Sequence, residues 1–265
     1  MIIKTIDKYS MVMGVSIKNT LVYSKEILYR TSFMILLLFI FIQLWTSAYG
    51  DEASIAGYTL SQTIWYLVVT ETILLSKIAM GNQISGEVIS GSLAYTLGKP
   101  YHYMVYNFFS GLGDSFIRLF INFIVGSVLV FIIIGPISFK VSTIVPIMLV
   151  VLLALILDYL IIGMIALMAF FMEDVSSLFF IYSKMLFILG GLLIPIDFFP
   201  GWLQNIATTL PFNLILFAPA SLFVNFSISA FLNILYQQLF WILIFSLILE
   251  TIYRIGQKKL TSNGG

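Results

Sequence analysis

The chain has 265 residues, 60% of them hydrophobic and only 9% charged, with a mean hydropathy of +1.06. An ordinary soluble domain carries about 25% charged residues, so these proportions exclude a water-exposed fold and read as an all-α polytopic membrane protein. Thirteen basic and 12 acidic residues leave a net charge of +1, which argues against nucleic acid as a partner; with no cysteine and one histidine, His102, disulfides and thiolate chemistry are excluded and a histidine-ligated metal centre is disfavoured.

The first 30 residues pattern as an amphipathic helix. At 100° per residue Tyr9, Val12, Met13, Ile17, Leu21, Ile27 and Leu28 share one side, and Lys8, Lys18 and Lys25 the other. Such a helix lies in a membrane interface with its lysines near anionic headgroups, or packs on a soluble partner. Six apolar runs follow at 31–49, 58–80, 104–135, 143–171, 177–194 and 228–252, each close to the roughly 20 residues that cross a hydrocarbon core. The chain reads as one transmembrane domain: an interfacial helix (1–30), spans one and two (31–80), a loop (81–103), spans three to five (104–194), an outer segment (195–227), span six (228–252) and a tail (253–265). Lys4, Lys8, Lys18, Lys25 and Arg30 precede the first span, Lys77 and Lys99 flank the 81–103 loop, and Arg254, Lys258 and Lys259 follow the last; Asp51, Glu52 and Asp197 lie on the other side. The excess of Lys and Arg places both termini and the 81–103 loop in the cytoplasm.

The 81–103 loop is the least hydrophobic internal stretch. Ser85, Glu87, Ser90 and Leu93 suggest a short helix over about 84–97, terminated by Gly98 and Pro100. Its Ile84, Val88 and Leu93 suit the groove of a docking partner, and Glu87 suits a basic residue there. The alternative is a solvated connection between two spans.

Charges inside the spans are costly and single out candidate functional residues. Counting outward from a hairpin turn near residue 138 places Arg118 and Asp158 each 20 residues away, hence level, and able to pair. Asp114, four residues before Arg118, joins the same face. That cluster is either an ion pair holding two helices or a gate or substrate contact. Glu71 in span two and Lys184 in span five face a polar pathway or each other.

The segment from Gly190 to Pro211 carries Pro195, Asp197, Pro200, Trp202 and Pro211. The prolines end span five, and 201–210 forms a short amphipathic helix with Trp202 at interfacial depth. Broken backbone at that depth needs protein or water against it, so the segment is either a re-entrant, lid-like hairpin or an interfacial loop.

The order of elements resembles the membrane subunit of an ABC transporter of the ABC-2 type. Ile84-Ser85-Gly86-Glu87 with Gly91-Ser92-Leu93 and Lys99-Pro100 is similar to the coupling-loop signature of a bacterial subgroup, with Lys99 where an arginine is expected. Gly190-Gly191, Ile194-Pro195, Phe199-Pro200-Gly201-Trp202 and Leu210-Pro211-Phe212 are similar to its outer-loop signature. The resemblance implies a bacterial plasma-membrane exporter in which two permeases, identical or homologous, bind two cytoplasmic ATP-binding subunits. It also implies that Ile84, Ser85, Glu87, Val88, Gly91, Leu93, Lys99 and Pro100 couple to those subunits, that spans two and five line the path, and that 195–212 acts as an outer lid. The chain itself has no G-x-x-x-x-G-K-[ST] phosphate loop, so ATP and Mg belong to the partner and this chain is not an enzyme. The competing readings are an ion-coupled secondary transporter, for which Glu71 is the best carboxylate, a membrane enzyme, and a scaffold.

Overall fold

A central helix sets the architecture. The computed structural model describes residues 2–22 and 24–263, and among them the named elements are all helical. They are α1 (Ile2–Val22), α2 (Ser24–Tyr49), α3 (Leu60–Leu75), α4 (Gly81–Ile89), α5 (Leu93–Leu97), α6 (Tyr103–Ile133), α7 (Ile144–Leu167), α8 (Ser176–Leu189), α9 (Gly201–Thr209), α10 (Phe217–Val224) and α11 (Ile228–Asn263), with short 3-10 turns between some of them. Every residue of α3 from Thr63 to Ile73 is buried. A helix that is apolar on all sides has no solvent face to keep, so it takes the middle, here packed by α2, α6 and α10. Its start is fixed by a capping box, in which the Gln62 N–H donates to Thr59 Oγ1 (3.3 Å) and the Thr59 N–H to Gln62 Oε1 (2.9 Å). α2 turns one stripe toward it, with Ile27, Thr31, Met34, Leu38, Ile42, Trp45 and Tyr49 buried at three- and four-residue spacing.

Among the described residues four helices are long and apolar enough to cross a membrane: Tyr29–Tyr49, Tyr103–Ile133, Val141–Phe170 and Ile228–Lys259. The other two expected spans are apolar but shorter. α3 has 16 residues and α8 has 14, so their helical parts rise about 24 and 21 Å. Span two stops being helical at Ser76, not at residue 80. Span five stops at the Gly190-Gly191 pair, before the prolines reach it: Gly191 has φ +69°, a left-handed conformation that glycine adopts without steric cost.

The N-terminal region is not one interfacial helix through residue 30, because α2 already begins at Ser24. The expected apolar side of α1 turns toward α6: Tyr9 is buried and stacks on Phe109 (5.3 Å), and Val12, Met13 and Ile17 are partly buried. Leu21 is exposed, and the Leu28 side chain lies outside the described residues. Lys18 and Lys25 are exposed as expected, whereas Lys8 donates to the Pro100 carbonyl (2.8 Å). Of the tail, residues 264 and 265 also lie outside the described residues.

The contact between α1 and α6 depends on a missing side chain, since a Cβ on Gly113 would stand 2.6 Å from the Met13 carbonyl oxygen. Gly113→Leu is expected to destabilise the protein by about 1–3 kcal/mol through overpacking, read as a lower thermal midpoint in detergent. Gly14→Ala, with open space around the position, is expected to leave the midpoint unchanged or raise it.

Candidate functional site: a polar elbow beneath the helix between two spans

The end of α3 leaves backbone carbonyls open, as every helix end does, and this one lies inside the bundle. Carbonyls enclosed in a bundle need donors from the protein. α6 supplies those donors from one face. Ser115 Oγ donates to the Ser76 carbonyl, Arg118 Nη1 to the Leu75 carbonyl (3.4 Å) and Arg118 Nη2 to the Lys77 carbonyl (3.0 Å). Asn122, one turn on, donates to Ser76 Oγ (3.1 Å) and accepts from Thr31 of α2 (2.9 Å). Asp114 ion-pairs with Arg118 (2.5 Å) and accepts from Thr20 of α1 (3.1 Å). Lys77, on the linker itself, ion-pairs with fully buried Asp158 of α7 (2.8 Å), whose Oδ1 also accepts from Tyr182 of α8 (2.5 Å).

One expectation is overturned here. Asp158 takes its ion pair from Lys77, not from Arg118. Arg118 and Asp158 both bond to residue 77, Arg118 to its carbonyl and Asp158 to its ammonium, but counting for depth says nothing of direction around the bundle. Asp114 and Arg118 do pair along one helix, as their spacing suggests. Glu71 and Lys184 do not face each other. Glu71 is 2% exposed in mid-α3, with no hydrogen-bond partner for Oε2 among the described residues, and Lys184 is exposed on α8 over the ring of Phe180 (5.1 Å).

The elbow continues directly into the helix between the spans. That segment is two helices rather than one over 84–97: α4 and α5 are separated by a turn at Ser90–Ser92, where Gly91 has φ +72°. Ile84, Val88 and Leu93 do not wait for a partner's groove. They are buried in this chain's own cluster with Tyr103, Met104, Tyr159, Leu160 and Leu167. Ser85 is buried, and its hydroxyl donates to the Asn82 carbonyl (3.2 Å). Glu87 is tied locally, accepting from Tyr103 Oη (2.7 Å) and Gln83 Nε2 (2.9 Å). Lys99 and Pro100 are exposed. The outward face of this unit consists of Asn82, Gln83, Gly86, Ile89, Ser90, Ala94 and Tyr95.

Before and along the middle of α3 the segment after α8 folds down onto the chain. Tyr66 Oη donates to the Gly191 carbonyl, Thr70 Oγ1 to the Leu192 carbonyl (3.2 Å) and Tyr58 Oη to Asp197 Oδ2 (2.7 Å). Pro195 and Pro200 bracket a 3-10 turn, Ile196–Phe198. From that turn Phe198 packs edge-to-face on Trp45 and Tyr58, at 5.6 Å each. α9 forms where the short amphipathic helix is expected; Trp202 is 67% exposed and Pro211 is buried. The outer segment is therefore a packed cap on the ends of α2 and α3.

The sequence matches the family described as ABC-2 family transporter protein over residues 32–264. The chain belongs to that family. No curated protein matches it. Membership makes it a multi-pass membrane component of a transporter rather than an enzyme, of a kind that works with ATP-binding subunits. Sequence reasoning missed Lys77, Ser115, Asn122 and Thr31. The signal for two of them, Ser115 and Asn122, was a polar row with Arg118 at 115, 118 and 122, spaced to share one face of an otherwise apolar helix.

Breaking a buried ion pair from one side costs about 3–5 kcal/mol, because the other charge stays buried. Lys77→Met and Asp158→Leu are each expected to lose that much in thermal-unfolding experiments, and the double variant clearly less than their sum. Arg118→Leu combined with Asp158→Leu is expected closer to additive.

Proposed function

We propose that this chain is the membrane subunit of an ATP-driven ABC exporter in a bacterial plasma membrane. Two copies, or this chain and a homologous second permease, form the path and bind two cytoplasmic ATP-binding subunits that hold ATP and Mg. The cargo is a hydrophobic or amphipathic compound such as a drug, peptide or lipid-like molecule. α3 and α8 complete six crossings together with their non-helical continuations. Lysines and arginines gather at the α4 end (Lys8, Lys18, Lys99, Arg254), and Asp51, Glu52 and Asp197 at the other, which supports cytoplasmic termini.

The observation that carries this reading is the elbow. α4 is joined to α3 through Ser76–Met80, a link fixed by Ser115, Arg118 and the Lys77–Asp158 pair. A push on the outward face of α4 by a closing ATPase therefore reaches the central span instead of being absorbed in a slack loop. Docking uses Asn82, Gln83, Gly86, Ile89 and Tyr95 in place of the buried Ile84, Val88 and Leu93. Glu87, Lys99 and Pro100 border that face, and the turn at Gly91 shapes it. The segment 195–227, with Pro195, Asp197, Pro200, Trp202 and Pro211, closes the outer side.

Purification from host membranes in mild detergent tests this. An ATP-hydrolysing subunit is expected to accompany the chain, and Ile89→Asp, on the outward face, is expected to reduce its recovery by about tenfold or more with the thermal midpoint retained. Val88→Asp, inward, is expected to lower the midpoint itself. A chain that purifies alone and still transports would favour an ion-coupled secondary transporter, the reading that buried Glu71 supports, and Glu71→Gln would then abolish proton-coupled flux.

A further inference from the structure

Lys184 lies mid-way along α8 at the centre of an exposed apolar stripe. Phe180 and Ile181 precede it by one turn and Phe187 and Ile188 follow by one turn, with exposures of 62%, 56%, 44% and 52%. The opposite side of the helix seats Tyr182, Leu186 and Leu189 against the rest of the chain. Tyr182 bonds to Asp158 beside the elbow, so Lys184 stands about 3 Å further along the bundle, within its depth. Among the described residues no carboxylate lies within ion-pair distance of its ammonium, whose recorded neighbour is the Phe180 ring.

A cation there is costly against lipid, and intramembrane charges face a bundle interior or a water-filled space and find a counter-charge. The described residues of this chain provide none within ion-pair distance. If two copies pair through this face, as the proposed dimer allows, two-fold symmetry turns the stripe of one α8 toward that of the other and brings a second ammonium toward the first. Two like charges across one space call for an anion between them.

We propose that Lys184 recognises the anionic head of an amphiphilic cargo within the transport path, its apolar tail lying along Phe180, Ile181, Phe187 and Ile188. This rests on the exporter reading and narrows its cargo to anionic amphiphiles. Lys184 is then a specificity-determining contact, and the aromatic and aliphatic residues around it accept tails of varied shape.

The test is binding to the purified protein, with whatever subunits accompany it, in phosphatidylcholine nanodiscs. The probes are two fluorescent amphiphiles with one tail, a carboxylate and a quaternary ammonium, read by polarisation. The carboxylate is expected to bind at least about tenfold more tightly. Lys184→Gln is expected to erase the difference, Lys184→Arg to keep it, and Lys140→Gln, in an exposed loop, to change nothing. Nanodiscs containing phosphatidylglycerol distinguish two sources of the anion. Competition identifies a lipid headgroup as the occupant, and its absence identifies a free amphiphile. Equal affinity for both probes in the wild type, or a carboxylate preference that survives Lys184→Gln, would overturn the proposal. Binding needs no ATP hydrolysis, so this outcome is separate from failure of the exporter reading, which shows as the absence of an accompanying ATPase.

Discussion

Open carbonyls at the end of a buried helix dictate much of this molecule. α3 stops at Leu75, five residues short of the helix that follows, and its last peptide groups are met by donors from the protein itself. The solution is local and dense. Ser115 and Arg118 donate to the carbonyls, Asp114 neutralises the guanidinium, and Lys77 is held by Asp158 and Tyr182. Through these bonds and those of Thr20, Thr31 and Asn122, residues of α1, α2, α6, α7 and α8 all converge on one linker.

α3 is also gripped along its middle, where Tyr66 and Thr70 donate to the carbonyls of Gly191 and Leu192. A fully buried rod fixed to the α4 side by one polar cluster and to the outer cap by another behaves as a lever. Interiors packed this closely shift between discrete arrangements rather than deforming smoothly. In the proposed ATP-driven cycle, that property would carry a displacement at α4 towards Asp197 and Phe198.

Much of this was legible in the sequence, and the parts that were not share a cause. Apolar runs, the position of the inter-span helix and the broken outer segment depend on local composition and on Gly and Pro, which act where they stand. Span five shows the limit of that: Pro195 looked like its terminator, but Gly190-Gly191 had already ended the helix. The charge pairing was not legible. Counting residues gives depth along the membrane normal and nothing of direction around the bundle, so Arg118 and Asp158 came out level, while the ion pair that Asp158 makes is with Lys77. The face of α4 misled for a related reason. A short amphipathic helix has the same pattern whether its apolar side seats in a partner or in its own chain, and Ile84, Val88 and Leu93 seat at home.

The contrast between α3 and α8 bears on how such a transporter diversifies. Nearly all of α3 is enclosed, so almost any replacement there disturbs the helices packed on it, α2, α6 and α10. α8 buries Tyr182, Leu186 and Leu189 and leaves most of its remaining side chains outside the chain's own core. Mutations on that surface are cheap for folding and leave the transmission machinery intact. On the proposed reading, in which that face meets the cargo, a lineage would drift from one compound to another by altering a single helix face while the buried core stays the same.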